Sequence, residues 1–475
     1  MRTRPVHRES LRERILDRVR DFSSGTPARF AVVVFASLIA IFTLVFSLPV
    51  ATASGTRAPF VDAFFTAVSV ICVTGLSTVD MATFWSPVGH VFVFIGVEIG
   101  GIGVLTLASI LGLVISRRLG LRQKLLAAGD ANPLRIRKGP VSESQAVRLG
   151  ETRNLLATVA VSVLVIELFV ALLIFPRMLI EGVPILEAAW ESIYIAAMAF
   201  TNTGFLPTPT GLEPYGQDWW FLGALMIGVV FGAIGFPVIY ALTKSRFRPR
   251  RWSLHVKLTL LTFGLLTLSG AIAYLALEWD NPDTMAGMGF DQRILQSLFI
   301  SQMARSGGFS TLDIGSLDGS SLLVTDMLMF IGGGSASTAG GIKVTTLAIL
   351  FIAAFAEARG VDDMEAYQRR IPQDVLRLAV SVVLGGATIV AVSTIVILLI
   401  TDDVPLDHIL FDVISAFATC GLTTGFTAST TDAAQYVLAV TMFLGRLGTV
   451  TLAAALAAST RRQLFRRPEE RPIVG

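Results

Sequence analysis

Cysteine, histidine and charge are all scarce in this chain. Two cysteines, Cys72 and Cys420, among 475 residues are too few for a disulfide framework. The four histidines, His7, His90, His255 and His408, are scattered without metal-ligand spacing, so no structural metal site is expected. Charged residues make up 15% of the chain, against roughly a quarter in a soluble domain. With 53% hydrophobic residues and a mean hydropathy of +0.69, the composition cannot cover a water-facing surface, and soluble enzyme folds are demoted in favour of a bilayer protein. A signal peptide is also missing, because the first 29 residues mix eight arginines with Glu9, Glu13, Asp17 and Asp21 before any apolar run begins. No intramembrane cluster of His, Asp or Cys suits catalysis, which counts against a polytopic membrane enzyme.

What is present is a series of long apolar runs: Arg29–Val50, Pro87–Ile115, Leu155–Phe175, Trp219–Leu242, Val256–Leu277, Ser321–Phe355, Val375–Ile400 and Ala434–Ala458. Each is long enough for ~30 Å of hydrocarbon, which takes ~20 helical residues. Between members of successive pairs lie shorter stretches, Phe60–Val73, Ile185–Thr201, Ile294–Ala304 and Ile409–Thr419. At ~1.5 Å per residue these cannot span. One such stretch alone reads as a helix lying at the interface; four in matching positions read as half-spans.

Charge sets the orientation. With a cytoplasmic N-terminus, paired spans and short stretches dipping in from outside, 32 of the 38 Lys and Arg fall inside and only Arg57, Arg177 and Arg293 outside. This is the positive-inside pattern. Five charges in or beside the apolar segments are assigned to neither face: Glu98, Glu167, Arg305, Lys343 and Arg446. Charge within a membrane is costly, so each is a functional candidate, although Glu167 reads equally well as a buried polar contact that fixes helix packing.

The second spans align on a glycine cluster: Gly100-Gly101-Ile102-Gly103, Gly232-Ala233-Ile234-Gly235, Gly340-Gly341-Ile342-Lys343 and Gly445-Arg446-Leu447-Gly448. A second motif follows each short stretch: Val73-Thr74-Gly75-Leu76, Asn202-Thr203-Gly204-Phe205, Ser306-Gly307-Gly308-Phe309 and Thr419-Cys420-Gly421-Leu422. Between the two motifs the separations are 25, 28, 32 and 24 residues (75 to 100, 204 to 232, 308 to 340 and 421 to 445). The unit is span, half-span, glycine turn, span, repeated four times in one orientation. Parallel copies favour an axis along the membrane normal, and disfavour an inverted-repeat secondary transporter.

The predicted fold is therefore an all-α integral membrane protein of four fused two-span-plus-pore-loop repeats, eight spanning helices and four re-entrant pore helices, around a pseudo-fourfold pore. Its parts are a cytoplasmic N-terminal arm (1–29), repeat A (30–120), a cytoplasmic linker (121–150), repeat B (151–245), repeat C (246–360), repeat D (361–460) and a cytoplasmic tail (461–475). A half-helix followed by a non-helical return leaves backbone carbonyls free at membrane depth, which is tolerated only inside protein or beside a watery cavity. Four such returns on one axis form a ring of oxygens that can replace a cation's hydration shell. Glycine reaches the required backbone angles and leaves the axis open. Outer acids, including Asp62, Asp80, Glu213, Asp218, Asp313, Asp318, Asp402, Asp403, Asp407 and Asp432, read as a funnel that concentrates cations at the mouth.

On these residues the chain resembles the Trk/Ktr/HKT superfamily of potassium transporters, most closely the bacterial Ktr-type membrane subunit. The carriers are the turns at Gly75, Gly204, Gly308 and Gly421, the run Gly332-Gly333-Gly334 with Ser337-Thr338-Ala339-Gly340-Gly341-Ile342-Lys343, and Gly445-Arg446-Leu447-Gly448. The likeness spans about Phe30 to Leu464. The long extra N-terminal hairpin typical of Trk-type members has no counterpart here, which favours the Ktr branch. The resemblance implies potassium uptake across the cytoplasmic membrane, with potassium as substrate at the filter carbonyls and no cofactor in this chain. A sodium-permeable or sodium-coupled member of the same superfamily is the alternative. It also implies a homodimer seated on a cytosolic nucleotide-binding regulatory ring of the KtrA/TrkA-like kind, with no nucleic-acid partner.

The third repeat has the longest separation, and its additional residues fit the helix-poor run 332–339, which includes Ser335. A packing kink is the bland reading; a loop below the filter, spanning about 332–346 and able to occlude the path, is the functional one, and the resemblance makes this segment the gate. A phosphate-cradling loop does not fit the residues around Lys343. Lys343 and Arg446 lie in second-span clusters of neighbouring repeats, where a fixed positive charge lowers cation occupancy and can bond the loop carbonyls; Arg446, always protonated, suits this better. Glu98 stands where similar sequences carry glutamine, and either pairs with Arg446 or stays neutral. Arg305 is expected to anchor the third turn from behind. The basic segments Arg117–Arg137 and Arg246–Arg251 suit a docking partner or anionic lipid headgroups equally. The N-terminal arm reads as an amphipathic interfacial helix or a disordered tail.

Overall fold

The computed structural model describes residues 27–103, 105, 152–246 and 248–448, with side chains from 31 and 159 onward in the two segments that open at 27 and 152. The Arg117–Arg137 patch, the 121–150 linker, the 461–475 tail and residues 1–26 of the N-terminal arm lie outside the described residues. The described chain is helical apart from its turns and one hairpin, Met364–Ala366 paired antiparallel with Arg369–Ile371.

Among the described residues, three helices are long and apolar enough to cross a bilayer: Thr152–Ile180, Leu254–Leu277 and Gln373–Ile400. Helix is the natural outcome, since hydrocarbon offers no partners for backbone N–H and C=O groups and a helix satisfies them within one segment. Their outward faces are uninterrupted aliphatic rows, such as Leu164, Leu168 and Leu172, or Leu265, Leu268 and Ile272, all exposed. The first span of the chain is the helix Pro27–Phe46, where Phe46 packs on Trp85 with ring centroids 4.9 Å apart.

The four short stretches form helices at Phe60–Cys72, Ile185–Thr201, Phe290–Met303 and Leu406–Ala418. They do not lie on the periphery. Phe65, Val70 and Ile71 of the first, Tyr194 and Met198 of the second, Phe299 and Met303 of the third, and Phe411 and Phe417 of the fourth are all buried in one continuous apolar core. The interfacial reading of these stretches is thereby set aside in favour of helices packed inside the bundle. The third begins at Phe290, earlier than the apolar pattern alone indicates, with Gly289 as its N-terminal cap, whose N–H donates to Gln292 Oε1 at 3.3 Å.

The second spans of the second and last repeats differ from the expectation of continuous helices, whereas that of the third breaks at its helix-poor run. Trp219–Leu242 breaks into Trp219–Ile234 and Phe236–Ser245, bent by 98°. Gly235 sits between them at φ +85°, and Pro237 supplies no N–H to continue the ladder. Ser321–Phe355 resolves into Gly319–Phe330 and Val344–Ala358, separated by a non-helical segment over 331–343. In the last repeat the helix Asp432–Phe443 passes into a π-turn over Leu444–Gly448. The first, Pro87–Gly103, is an apolar helix as far as it is described. By length and composition, three single helices and the one bent pair qualify as crossings among the described residues, while the runs Pro87–Ile115 and Ala434–Ala458 are described only in part. Apolarity locates a segment in the membrane; it does not say whether the backbone stays helical.

Candidate functional site

Each short helix ends in a left-handed turn. The closing residues Val73, Asn202 and Thr419 have φ of 58°, 59° and 46°, and in the third turn Ser306 has φ 85°. β-branched residues such as Val73 and Thr419 rarely adopt this conformation, and surrounding contacts must hold it. The turn folds N–H groups back onto its own helix: Thr74 N donates to Ser69 O at 2.8 Å, Thr203 N to Met198 O at 2.9 Å, Cys420 N to Ser415 O at 2.9 Å and Gly307 N to Met303 O at 2.7 Å. Two turns gain a further support, since Gly75 N donates to Ser69 Oγ at 3.1 Å and Gly421 N to Ser415 Oγ at 3.2 Å.

The glycines that follow, Gly75, Gly204, Gly308 and Gly421, all have positive φ. They also meet. A methyl group on Gly204 would stand 2.5 Å from the Gly308 carbonyl carbon, and one on Gly308 would stand 2.7 Å from Thr203 O and 2.8 Å from Cys420 O. On Gly421 it would stand 2.6 Å from Thr74 O, 3.1 Å from Gly75 Cα and 3.1 Å from Thr203 O, and on Gly75 it would collide with Thr203 O. Each turn thus touches the turns of neighbouring repeats, in the order first, second, third, fourth and back to the first. Val73, Asn202, Ser306 and Thr419 are buried behind this meeting point, and Gly307 backs onto Met303. Carbonyls of Thr74, Thr203 and Cys420 crowd it with partial negative charge, a setting that suits a desolvated cation.

The 331–343 segment lies against these turns. Gly334 N donates to Ala233 O at 2.7 Å, Thr338 N to Gly232 O at 3.2 Å and Phe236 N to Ala336 O at 3.2 Å, so the segment seats in the bend of the second repeat. The Thr338 hydroxyl stands 2.6 Å from the Asn202 amide and 3.0 Å from Phe200 O. Ser306 Oγ joins three parts, donating to Thr419 O at 3.0 Å and accepting from Gly340 N at 3.1 Å. Gly332 abuts Gly340, Val344 N donates to Gly333 O, Gly341 has φ +64°, Ser335 Oγ lies 3.0 Å from Thr345 Oγ1, and Ser337 Oγ closes on Gly334 O at 2.6 Å.

Both cations of the second-span clusters hold this segment. Lys343 Nζ donates to Ala339 O at 2.6 Å and Gly340 O at 3.3 Å. Arg446 Nη1 donates to Thr338 O at 2.5 Å and lies 3.3 Å from Thr419 Oγ1, while its Nε and Nη2 are buried without a hydrogen-bond partner. Arg305, buried behind the third turn, donates from Nη1 to Phe263 O at 2.6 Å with its guanidinium 3.5 Å from the Phe263 ring centroid, so it ties the turn to the helix Leu254–Leu277. Glu98 does not pair with Arg446. Its carboxyl group hydrogen-bonds Glu167 on the helix Thr152–Ile180.

Several residues around the turns were not singled out from the sequence. Asp412 accepts from Thr423 Oγ1 at 2.6 Å, Thr424 N at 3.0 Å, Thr427 N at 2.9 Å and Thr427 Oγ1 at 2.6 Å, fastening the chain beyond the fourth turn to its short helix. Gln296 does the same for Thr311, and Asp62, read from the sequence as an outer acid, does so for Thr78 at 2.6 Å. Ser69 and Ser415 each stand six residues before a turn glycine, so extending the repeat alignment backward finds both (75 − 69 and 421 − 415). Some outer acids have local duties as well: Asp80, Asp218 and Asp313 cap helix N-termini, and Asp218 also pairs with Arg177.

A bundle of apolar helices enclosing four carbonyl-bearing turns has the make-up of a membrane protein that handles cations. Residues 14–463 match the family model for TrkH, described as a cation transport protein, and the chain belongs to that family. It is 33% identical over 454 residues to Ktr system potassium uptake protein D of Bacillus subtilis (strain 168), covering 95% of this chain and 97% of that protein. It is 30% identical over 459 residues to Ktr system potassium uptake protein B of the same organism, covering 97% and 99%. The crystal structure of the potassium transporter TrkH from Vibrio parahaemolyticus superposes with a TM-score of 0.67 at 18% identity, covering 96% of this chain and 87% of that one. The resemblance to the Trk/Ktr group read from the glycine motifs is thereby established, and the helical bundle shares the TrkH fold.

Proposed function

We propose that this chain is the ion-translocating membrane subunit of a Ktr-type potassium uptake system, with Val73–Gly75, Asn202–Gly204, Ser306–Gly308 and Thr419–Gly421 as its selectivity filter. The observation that carries the reading is the convergence of Gly75, Gly204, Gly308 and Gly421, where added side chains would strike neighbouring carbonyls. The names of its relatives, Ktr system potassium uptake proteins, supply the ion. Uptake runs downhill on ~2.3 kcal/mol per charge per 100 mV of membrane potential.

The 331–343 segment is the gate, held beneath the filter by Arg446 and Lys343. Guanidinium and ammonium groups there oppose a cation electrostatically and bond the carbonyls that keep the segment in place. The four two-span repeats surround the pathway with both termini cytoplasmic, as the distribution of Lys and Arg supports. The system naming of the relatives implies a partner component, which we assign to a cytosolic nucleotide-binding ring under a homodimer.

Rubidium flux into proteoliposomes, with sodium as competitor, tests the reading. Rubidium entry that potassium suppresses and excess sodium does not is the expected result. Equal suppression by sodium assigns the chain to a sodium-permeable transporter, and no flux in the presence of the partner ring refutes the proposal.

A further inference from the structure

Two carboxyl groups of adjacent repeats meet inside the apolar bundle. Glu98 lies on the helix Pro87–Gly103, two residues before Gly100, and Glu167 lies midway along Thr152–Ile180 at 7% exposure. Their side chains are hydrogen-bonded to one another. On each residue Oε1 is buried with no hydrogen-bond partner among the described residues.

Among the described residues no cation acts on either carboxyl; the helix Phe236–Ser245, packed in the same cluster as Ile166, brings Tyr240 and Lys244. The helix Ile185–Thr201, packed against Thr152–Ile180, brings Glu187, Glu191 and Tyr194, and the helix Trp219–Ile234 brings no titratable group. Against Pro87–Gly103 pack Phe60–Cys72, with Asp62 and Cys72, and Pro27–Phe46, whose described side chains include no titratable group. His90, on the same helix as Glu98, is engaged with Met81 O at 2.9 Å. Among all of these, the only charged group that acts on either carboxyl is the other carboxyl.

An ionised carboxylate only accepts hydrogen bonds, so two carboxylates cannot bond each other. Held side by side in a membrane without a cation, two negative charges are excluded by mutual repulsion and by desolvation. A divalent metal ion needs more oxygen ligands than two side chains supply, and no group of three or more His, Cys, Asp or Glu occurs among the described residues. We infer that Glu98 and Glu167 form an intramembrane proton-binding site, a carboxylic acid sharing its proton with the neighbouring carboxyl group across the boundary between the first and second repeats.

The site is placed to influence the first turn. Gly100, two residues beyond Glu98, packs on Ile71 O and the Val73 side chain, and Gly101 faces Thr201 at the end of the second short helix. Loss of the proton leaves paired negative charges that push these helices apart, loosening the seat of both turns.

Infrared difference spectroscopy of the purified full chain in lipid, titrated from about pH 6 to about pH 9, reads the proton directly and requires no transport. Wild-type protein should show a deuterium-sensitive protonated-carboxyl band that is lost on the alkaline side. In Glu98→Gln and in Glu167→Gln, which keep the side-chain shape and a hydrogen bond, that titrating band should be absent or moved. The double variant, checked for monodispersity and helix content, should lack it altogether. Identical spectra in wild type and the double variant overturn the inference, as does a carboxylate signal that responds to sodium at fixed pH with no protonated band. Because the readout is a proton on the protein, its failure is separate from any failure of the potassium reading.

Discussion

The substitution Gly308→Ser probes the meeting point of the turns most sharply. At φ +73° a side-chain-bearing residue costs about 1–2 kcal/mol in backbone conformation alone. The new carbon would stand 2.7 Å from Thr203 O and 2.8 Å from Cys420 O, where a carbon-to-oxygen contact rests at about 3.3–3.6 Å. Both carbonyls must therefore retreat by about 0.5–0.9 Å, or the third turn must move by as much. Those two oxygens belong to the second and fourth turns, so one substitution disturbs three of the four. Discrimination between ions is a difference of stabilisation, and about 1.4 kcal/mol changes it tenfold. We expect the preference for rubidium over sodium in proteoliposome flux to fall by about tenfold or more. Gly223→Ser on the helix Trp219–Ile234, where an added carbon meets nothing within 4 Å, should leave the preference intact. If Gly308→Ser keeps wild-type selectivity and flux, the argument from crowded carbonyls is wrong.

Other consequences follow from the same contacts. Arg446→Ala removes the guanidinium that holds Thr338 O, and a deletion within Gly332–Ala339 shortens the segment itself; both should raise cation flux in liposomes, and unchanged flux in both removes the gate. Gly235→Ala should also raise flux, because its methyl would stand 2.6 Å from Ser335 O at a φ of +85° and prevent the segment from seating in the bend; flux at the wild-type level counts against that seating. Asp412→Asn places an amide among donors from Thr423, Thr424 and Thr427, and should cost about 1–3 kcal/mol, read as a lowered midpoint of thermal unfolding in detergent. An unaltered midpoint would mean that the carboxylate does not fasten the fourth turn.

The extent of agreement with the sequence reading has physical reasons. The short helices were legible because a half-length apolar run, a glycine and a second full run recur four times, and the resulting ends at Thr201 and near Val73 and Thr419 agree with the observed helices. The interruptions at Gly235 and over 331–343 differ in visibility. The second is a run of six glycine, serine and alanine residues, poor in helix propensity, whereas Gly235 belongs to a motif that reads as close helix packing. Only the Phe236 N to Ala336 O contact shows that another segment takes over the lost helical bond there. Glu98 carried a charge without an address, because pairing across helices depends on rotation about their axes. Asp412 and Gln296 were missed because their work is hydrogen bonding to residues beyond the turn, which no spacing rule announces.

The central claim is that four backbone turns from separate parts of the chain enclose one cation. Anomalous diffraction from crystals grown in rubidium measures this directly. The account predicts a peak bounded by the Thr74, Thr203 and Cys420 carbonyls and the third turn at Gly308. Rubidium bound elsewhere in the bundle, with that position vacant, would contradict it.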